Sequence, residues 1–410
     1  MMRDNYLDIS KLTTNEDVLE LFNIVAKNGG VLRFVGGSVR DALKGIKASD
    51  LNLVTDLSPD ELVEACSDAG YNTVPLGIKQ GKIAVIIDDT QIEVSSLGRY
   101  VERDGVSNLE FTDNWEADAS SRDLTINAVY ADEKGNVFDY YNGIEDLEKG
   151  YVRFIGSANQ RIKDDYLRIL RYFRFYSLFG LEEPNLKAIT ACAENCAGLK
   201  KIPMERIKEE LFKIIQTPRA HLAYNLMQAN GVLGYLMPDA LYIDDLAYLN
   251  NLKAGILIEN EALIKMHIIY RPDKALADNM ATRLKFSRKE KDLYTDLSDT
   301  NYNLEDFINS KKMAKIIYEY GKDFAKAKII TQIAKERRFS EEIKEAYNKI
   351  NTMAEIDFPI KGKDIIDCGL TDYQQVGSIL KELEQLWIDS NFDLTKEQLL
   401  LEVNNMKNVV

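Results

Sequence analysis

The sequence predicts an α+β head built on a small mixed sheet, followed by an all-helical remainder. Through about residue 140, short β-rich runs alternate with helical ones. From about residue 158 strand signals nearly vanish, and apolar residues recur at helical spacing over 161–179, 204–215, 220–230 and most of 240–410. The 410 residues, 45% hydrophobic and 29% charged, suit a globular chain with room for two to four domains.

The head is legible element by element. Leu32-Arg33-Phe34-Val35 reads as a strand, residues 38–43 as a short helix and 51–55 as a second strand. Ser58-Pro59-Asp60-Glu61 opens a helix: Ser58 can cap free N–H groups, Pro59 surrenders no needed donor, and the acids favour the dipole. Residues 83–87 and 90–94 form a plausible hairpin around Asp88-Asp89, while 125–130 and 137–140 read as further short strands or their flanks. Pro359 and Gly362 punctuate a late loop before the last helices.

Composition excludes several classes. No run approaches the roughly 18 apolar residues of a membrane span, and MMRDNYLDISKL lacks the basic-then-apolar pattern of a signal peptide. The expected location is the cytoplasm. Cys66, Cys192, Cys196 and Cys368 are too few and too scattered for a disulfide framework, and buried thiols are a better reading of Cys192 and Cys196 than a zinc site. Two histidines count against a His/Asp metal-dependent phosphohydrolase. A net charge of −14 counts against a generic nucleic-acid binder. Charge is uneven, however: between Arg283 and Arg338 stand fourteen Lys/Arg against nine Asp/Glu. That segment reads either as solvated helix faces or as a stripe for an RNA backbone.

The chemistry begins at Val35-Gly36-Gly37-Ser38-Val39-Arg40-Asp41, with Asp50-Leu51-Asn52 beginning nine residues after Asp41. Two glycines at a helix start let backbone N–H groups approach phosphate. Asp50 and Asn52, at i and i+2 on a strand, can face one divalent ion. Two-ion phosphoryl transfer requires carboxylates there, and Asn52 is not one. Glu93, on a strand of alternating polarity, is a candidate third ligand. Arg122-Asp123-Leu124-Thr125-Ile126-Asn127 offers a charge clamp and a sugar or phosphate hydrogen bond, or else a helix-cap salt bridge. Asp165, Arg168 and Arg171, spaced i, i+3, i+6, share one helix face beside the apolar Leu167, Leu170 and Phe173. That row reads as surface salt bridging or as donors and acceptors for a nucleobase edge.

VGGSVRD, DLN, RDLTINA, DDYLRILRYFRF and MERIKEEL, in this order and approximate spacing over residues 30–240, resemble bacterial tRNA nucleotidyltransferases. The likeness is closest to CCA-adding enzymes of the class II type, in the polymerase-β-like nucleotidyltransferase superfamily, a class shared with bacterial poly(A) polymerases. The resemblance implies a nucleotidyltransferase head at 1–145, a base-recognising neck at 146–200, a helical body at 201–290 and a tRNA-binding tail at 291–410. It implies addition of CCA to tRNA 3′ ends from CTP and ATP with Mg²⁺ held by Asp50 and position 52. Gly36, Gly37 and Arg40 would bind triphosphate, Arg122 and Asn127 would contact the nucleotide, and Asp165 and Arg168 would read the base with help from Arg171. Arg283, Lys285, Arg288, Lys311 and Lys312 would meet tRNA. The sequence departs from the family at three places: Asn52 replaces an aspartate, Ser121-Arg122 replaces an arginine pair, and Ser95-Ser96-Leu97-Gly98-Arg99 replaces a Thr-Thr-Phe-Arg strand. The loop over 93–111 is also short. With Asn52 the site is expected to be impaired, as in an engineered inactive form or an altered paralogue. CC addition, A addition, poly(A) synthesis and a non-catalytic RNA-binding role are the alternatives.

Overall fold

Helix α1 (Glu16–Lys27) is capped by the Asn15 side chain, which accepts from Asp17 N–H, and turns Val18, Leu21, Phe22 and Val25 inward. Strand β1 (Leu32–Val35) leads through Gly36 into α2 (Gly37–Leu43), and β2 (Leu53–Thr55) follows. The helix start expected at Ser58 is observed: Ser58 caps α3 (Pro59–Asp68) and closes a capping box with Glu61. Then come β3 (Asn72–Gly77), β4 (Lys82–Ile87), β5 (Thr90–Ser96), β6 (Gly98–Arg103), β7 (Val106–Phe111), α4 (Trp115–Ser121), β8 (Val129–Ala131) and β9 (Val137–Asp139). This computed structural model describes residues 6–12, 15–47, 51–77, 81–103, 106–252, 258–354, 356–370 and 373–407. The chain divides into two compact units, Met1–Ala240 and Leu241–Val410.

The first unit is built on a seven-stranded mixed sheet in the order β3-β4-β5-β2-β1-β8-β9, in which only β2 and β5 run parallel. One face buries Phe34, Leu53, Val85 and Val94 with Leu21, Phe22 and Leu62 of α1 and α3. The other packs Val35, Val54, Leu97 and Tyr130 on Ala119 of α4. Period-2 alternation thus sends Phe34 to one core and Val35 to the other. Of residues 93–111, expected as a loop, 93–96 belong to β5, and β6 pairs with β7 in a separate antiparallel sheet.

Helices then take over: α5 (Gly143–Lys149), α6 (Ala158–Asp164), α7 (Arg168–Phe179), α8 (Leu186–Asn195), α9 (Met204–Ile215) and α10 (Ala220–Ala229). The continuous helix expected over 161–179 is two helices. Asp165 is extended (φ −153°, ψ 109°), and its carboxylate accepts from Leu167 N–H at 3.0 Å. A short acidic side chain that bonds its own backbone two residues on competes with the helix and restarts it. The second unit carries helices and no strand among its described residues, beginning with α11 (Ile243–Asn251), α12 (Glu261–Tyr270), α13 (Lys274–Arg283) and α14 (Arg288–Asp299). No helix among the described residues is long and apolar enough to cross a membrane. All four cysteines are free thiols.

His267 on α12 is buried, edge-on to Tyr294, with Nε2 3.3 Å from Ser298 Oγ and Nδ1 lacking a partner among the described residues. Burial, then the charges of Lys328 and Arg271, push its pKa down to about 3. As pH falls through about 6.5 the unfolded chain takes up a proton the folded chain refuses. Stability is therefore lost from pH 6.5 toward 3, at no more than about 1.4 kcal/mol per pH unit from this group. His267→Gln is expected to flatten the fall in urea midpoint between pH 7 and 4; superimposable pH profiles would refute the assignment.

Candidate nucleotide-binding site

Gly36 is the hinge of the site. At φ +67°, ψ −121° it precedes α2 in a conformation open to glycine, with its N–H given to Val129 O. A Cβ on Gly37 would touch the Arg40 guanidinium and the Asn52 amide, at 3.6 and 3.7 Å, so bare backbone leaves room between them. Arg40 and Asn52 both line a cavity of about 880 Å³ within the first unit.

A relay of hydrogen bonds crosses this cavity. Arg40 donates from Nη1 to Asn127 Oδ1 at 2.6 Å and from Nε to Asp41 at 3.0 Å. Asn127 Nδ2 donates to Asp123 Oδ1 at 3.0 Å, and Arg171 Nε donates to Asp123 Oδ2 at 2.6 Å. Burial alone would raise the Asp123 pKa, but the Arg171 charge and then Asn127 hold it well below the carboxylate range. Asp123 is therefore a fixed anion that orients Arg171 of α7 and, through Asn127, Arg40 of α2.

Asp118 does the same on the neighbouring wall. Its carboxylate accepts from Gly98 N–H at 3.1 Å, Arg122 Nη2 at 2.9 Å and Tyr130 Oη at 2.6 Å. Burial pulls the Arg122 pKa down, yet Asp118 and Tyr130 outweigh it and raise it. Arg168 is buried and donates to the carbonyls of Ser121 at 2.9 Å and Arg161 at 3.1 Å. Asp165 meets Arg206 Nη2 at 3.0 Å. Ser96 Oγ, buried in the wall, has no partner among the described residues.

The cavity's charge is opposite to the chain's. Arg40, Lys82, Arg122, Arg168, Arg171, Arg174, Arg206 and Lys213 face Asp41, Asp118, Asp123 and Asp165, eight cations against four carboxylates. An excess of partly desolvated positive charge beside a glycine hinge is the environment of a polyphosphate.

Residues 32–153 match the family model described as "Poly A polymerase head domain", and 179–243 match "Probable RNA and SrmB- binding site of polymerase A". The human protein named CCA tRNA nucleotidyltransferase 1, mitochondrial, is 31% identical over 395 residues, covering 94% of this chain and 89% of the relative. The chain belongs to the CCA-adding tRNA nucleotidyltransferase family. A CCA-adding enzyme of Ligilactobacillus salivarius is 27% identical over 93% of this chain and 94% of its own. Among solved structures, the Bacillus stearothermophilus CCA-adding enzyme in complex with CTP shares the fold, with a TM-score of 0.78, 21% identity, and coverage of 96% of this chain and 98% of that one.

In this CCA-adding family chain the structure brings Gly36, Gly37, Arg40, Asn52, Arg122, Asn127, Asp165, Arg168 and Arg171 to one cavity. Asp50 lies outside the described residues. Glu93 is exposed on β5 and does not line the cavity. Among the described residues no group of three His, Cys, Asp or Glu could hold a metal ion. In the second unit Arg283 ends α13, Lys285 has φ +55°, and Arg288 is almost fully exposed with Asp292 at 3.8 Å. Lys311 and Lys312 face Asp393 at 3.6 Å and Asp306 at 2.7 Å. The fourteen cations of 283–338 therefore do not form an unopposed stripe: Lys289, Lys291, Lys315 and Lys326 also lie within 4 Å of a carboxylate. Asp118, Asp123, Arg174, Arg206 and Lys213 are cavity residues that sequence reasoning did not assign to the site. Asp118 carried one signal, its i, i+4 spacing to Arg122.

Proposed function

We propose that the chain is a template-independent nucleotidyltransferase that adds C and A to tRNA 3′ ends, using CTP and ATP. The carrying observation is the cationic cavity that joins the Gly36–Gly37 hinge to Arg168 and Arg171 in a chain of net charge −14. In support, the mouse and human relatives are named CCA tRNA nucleotidyltransferases, and a Thermotoga maritima CCA-adding enzyme of the same fold (TM-score 0.67) is described as complexed with tRNA_CCA.

In this reading Gly36, Gly37 and Arg40 bind the triphosphate, and Arg122 and Asn127 contact the nucleotide. Asp165 and Arg168 present one acceptor and one donor group to the base, with Arg171 beside them. The tRNA 3′-hydroxyl attacks the α-phosphate in line, and pyrophosphate leaves. A divalent ion, Mg²⁺ by its affinity for oxygen and phosphate, would be held by Asp50 and position 52, with Glu93 as a third ligand. It would lower the pKa of the attacking hydroxyl and offset charge on the leaving group. Of these three positions the described ones are Asn52, a neutral amide, and Glu93, which does not line the cavity, so they fit such an ion poorly. Arg283, Lys285, Arg288, Lys311 and Lys312 are the proposed tRNA contacts. A cytoplasmic location belongs to the same reading, although the mouse and human relatives are named as mitochondrial.

The test is incubation of an Asn52→Asp form with tRNA ending before CCA, with CTP and ATP separately and together. Completed CCA only with both nucleotides supports the proposal. Stopping at CC with both present, accepting only A, or long A tracts on unstructured RNA would each replace it with the corresponding narrower activity. Asn52 itself favours a second reading, a non-catalytic RNA-binding paralogue. Retained tRNA affinity with no incorporation after the carboxylate is restored would establish that one.

A further inference from the structure

Three arginines of the cavity wall converge on one ring. The guanidinium carbons of Arg40, Arg171 and Arg174 lie 4.9, 5.5 and 4.7 Å from the centroid of Phe175, which is 5% exposed. Arg40 also lies 4.7 Å from Phe179, whose ring stacks on Phe175 at 6.3 Å and 20°. Arg40 comes from α2 and the others from α7, so the ring joins the helix after the glycine hinge to the helix of the base-reading row.

Like charges this close repel. Burial above all, and then the Arg171 charge after the opposing effect of a carboxylate partner, holds the Arg40 and Arg174 guanidinium pKa values below the usual value. Each arginine keeps one carboxylate partner: Asp41 at 2.8 Å, Asp123 at 2.6 Å and Glu210 at 3.3 Å. A fourth carboxylate at the centre would draw the arginines in but leave the group with a net negative charge. An aliphatic side chain would fill the space and attract no cation. An aromatic face attracts cations through its quadrupole while carrying no charge of its own.

We propose that Phe175 is a positioning residue for the nucleotide's phosphates: its ring gathers Arg40, Arg171 and Arg174 on one wall without neutralising them. This rests on reading the cavity as the nucleotide site. The Phe175 contribution therefore scales with ligand charge, whereas a merely structural role weakens charged and neutral ligands alike.

The experiment is calorimetric titration of the full chain with CTP, inorganic tripolyphosphate and cytidine, each at two salt concentrations. Phe175→Leu is expected to weaken CTP and tripolyphosphate about tenfold and leave cytidine within about twofold. Phe175→Tyr, which keeps the ring, is expected to stay within about twofold of the parent for all three. Unchanged tripolyphosphate affinity in Phe175→Leu would overturn the proposal, as would an equal loss in Phe175→Tyr or a parallel loss of cytidine. If Phe175→Leu loses its circular dichroism signal, Phe175→Met, unbranched and of similar bulk, takes its place under the same criteria. Failure of the parent chain to bind CTP would instead overturn the nucleotide-site reading, and Phe175's role with it.

Discussion

Replacing Asn52 by aspartate is expected to raise nucleotide incorporation by about two to four orders of magnitude. Asparagine preserves the shape of the side chain and one acceptor oxygen but removes a full negative charge from a proposed ligand. Metal stabilisation of a phosphoryl-transfer transition state contributes several kcal/mol, and each 1.4 kcal/mol is about tenfold in rate. Position 52 is exposed at the cavity, and its backbone carbonyl accepts from Val35 N–H at 2.8 Å, so the substitution alters charge without disturbing the β1–β2 pairing. The sign of a second effect separates metal binding from general electrostatics. Without divalent ion, the new carboxylate adds negative charge to a triphosphate site and CTP affinity falls; with Mg²⁺ the order reverses. Single-turnover incorporation and CTP titrations with and without Mg²⁺ measure both. Equal rates for the two forms would remove position 52 from the metal site.

What sequence reasoning reached depended on how local each signal was. Ser58-Pro59-Asp60-Glu61 announces a helix start because cap, proline and acids lie within four residues, and α3 begins there. Gly36 and Gly37 were legible for the same reason: a glycine pair between a strand and a helix has few other uses. The break at Asp165 was hidden by the periodicity of the apolar residues around it, since an Asx-type bond interrupts a helix without changing composition. The β6–β7 pairing is poorly legible because residues 98–111 mix charged and polar residues with only short apolar alternation. The basic segment of 283–338 looked like a stripe in one dimension. Its partners, Asp278, Asp323, Asp389 and Asp393 among them, come from other helices or turns, and linear charge counting cannot place them. Asp123 was read as part of a motif, but its contact with Arg171 spans 48 residues and became visible only in the fold.

That long-range contact makes Asp123→Ala the most damaging single change expected in the first unit. Asp123 is 6% exposed and accepts from Asn127, Arg171 and the Leu124 N–H, the last at 2.8 Å. Removing it leaves the Arg171 guanidinium, 33% exposed, without its anion; water screens part of the cost, so the loss is expected at or below about 3 kcal/mol, the low end for a broken buried pair. Arg40 suffers indirectly: Asn127 loses its fixed acceptor, its amide is free to rotate, and the 2.6 Å bond that aims Arg40 loosens. CTP affinity should therefore fall together with stability. Asp123→Asn keeps the acceptor for Leu124 N–H but not the charge, so it should lie between alanine and the parent in both measurements. The pH dependence adds an independent check. A carboxyl held well below its ordinary value stabilises the fold above about pH 3.9, and that stabilisation is lost only as pH falls through the folded value. The destabilisation by Asp123→Ala should thus be the same at pH 5 and pH 7, unlike the effect of His267, whose unfolded form takes up a proton within this window. Urea denaturation of the three chains at both pH values, followed by near-ultraviolet circular dichroism, reads this out. An alanine variant as stable as the parent, or one whose deficit halves at pH 5, would show that Asp123 is not the buried anion that joins Arg171 to Arg40.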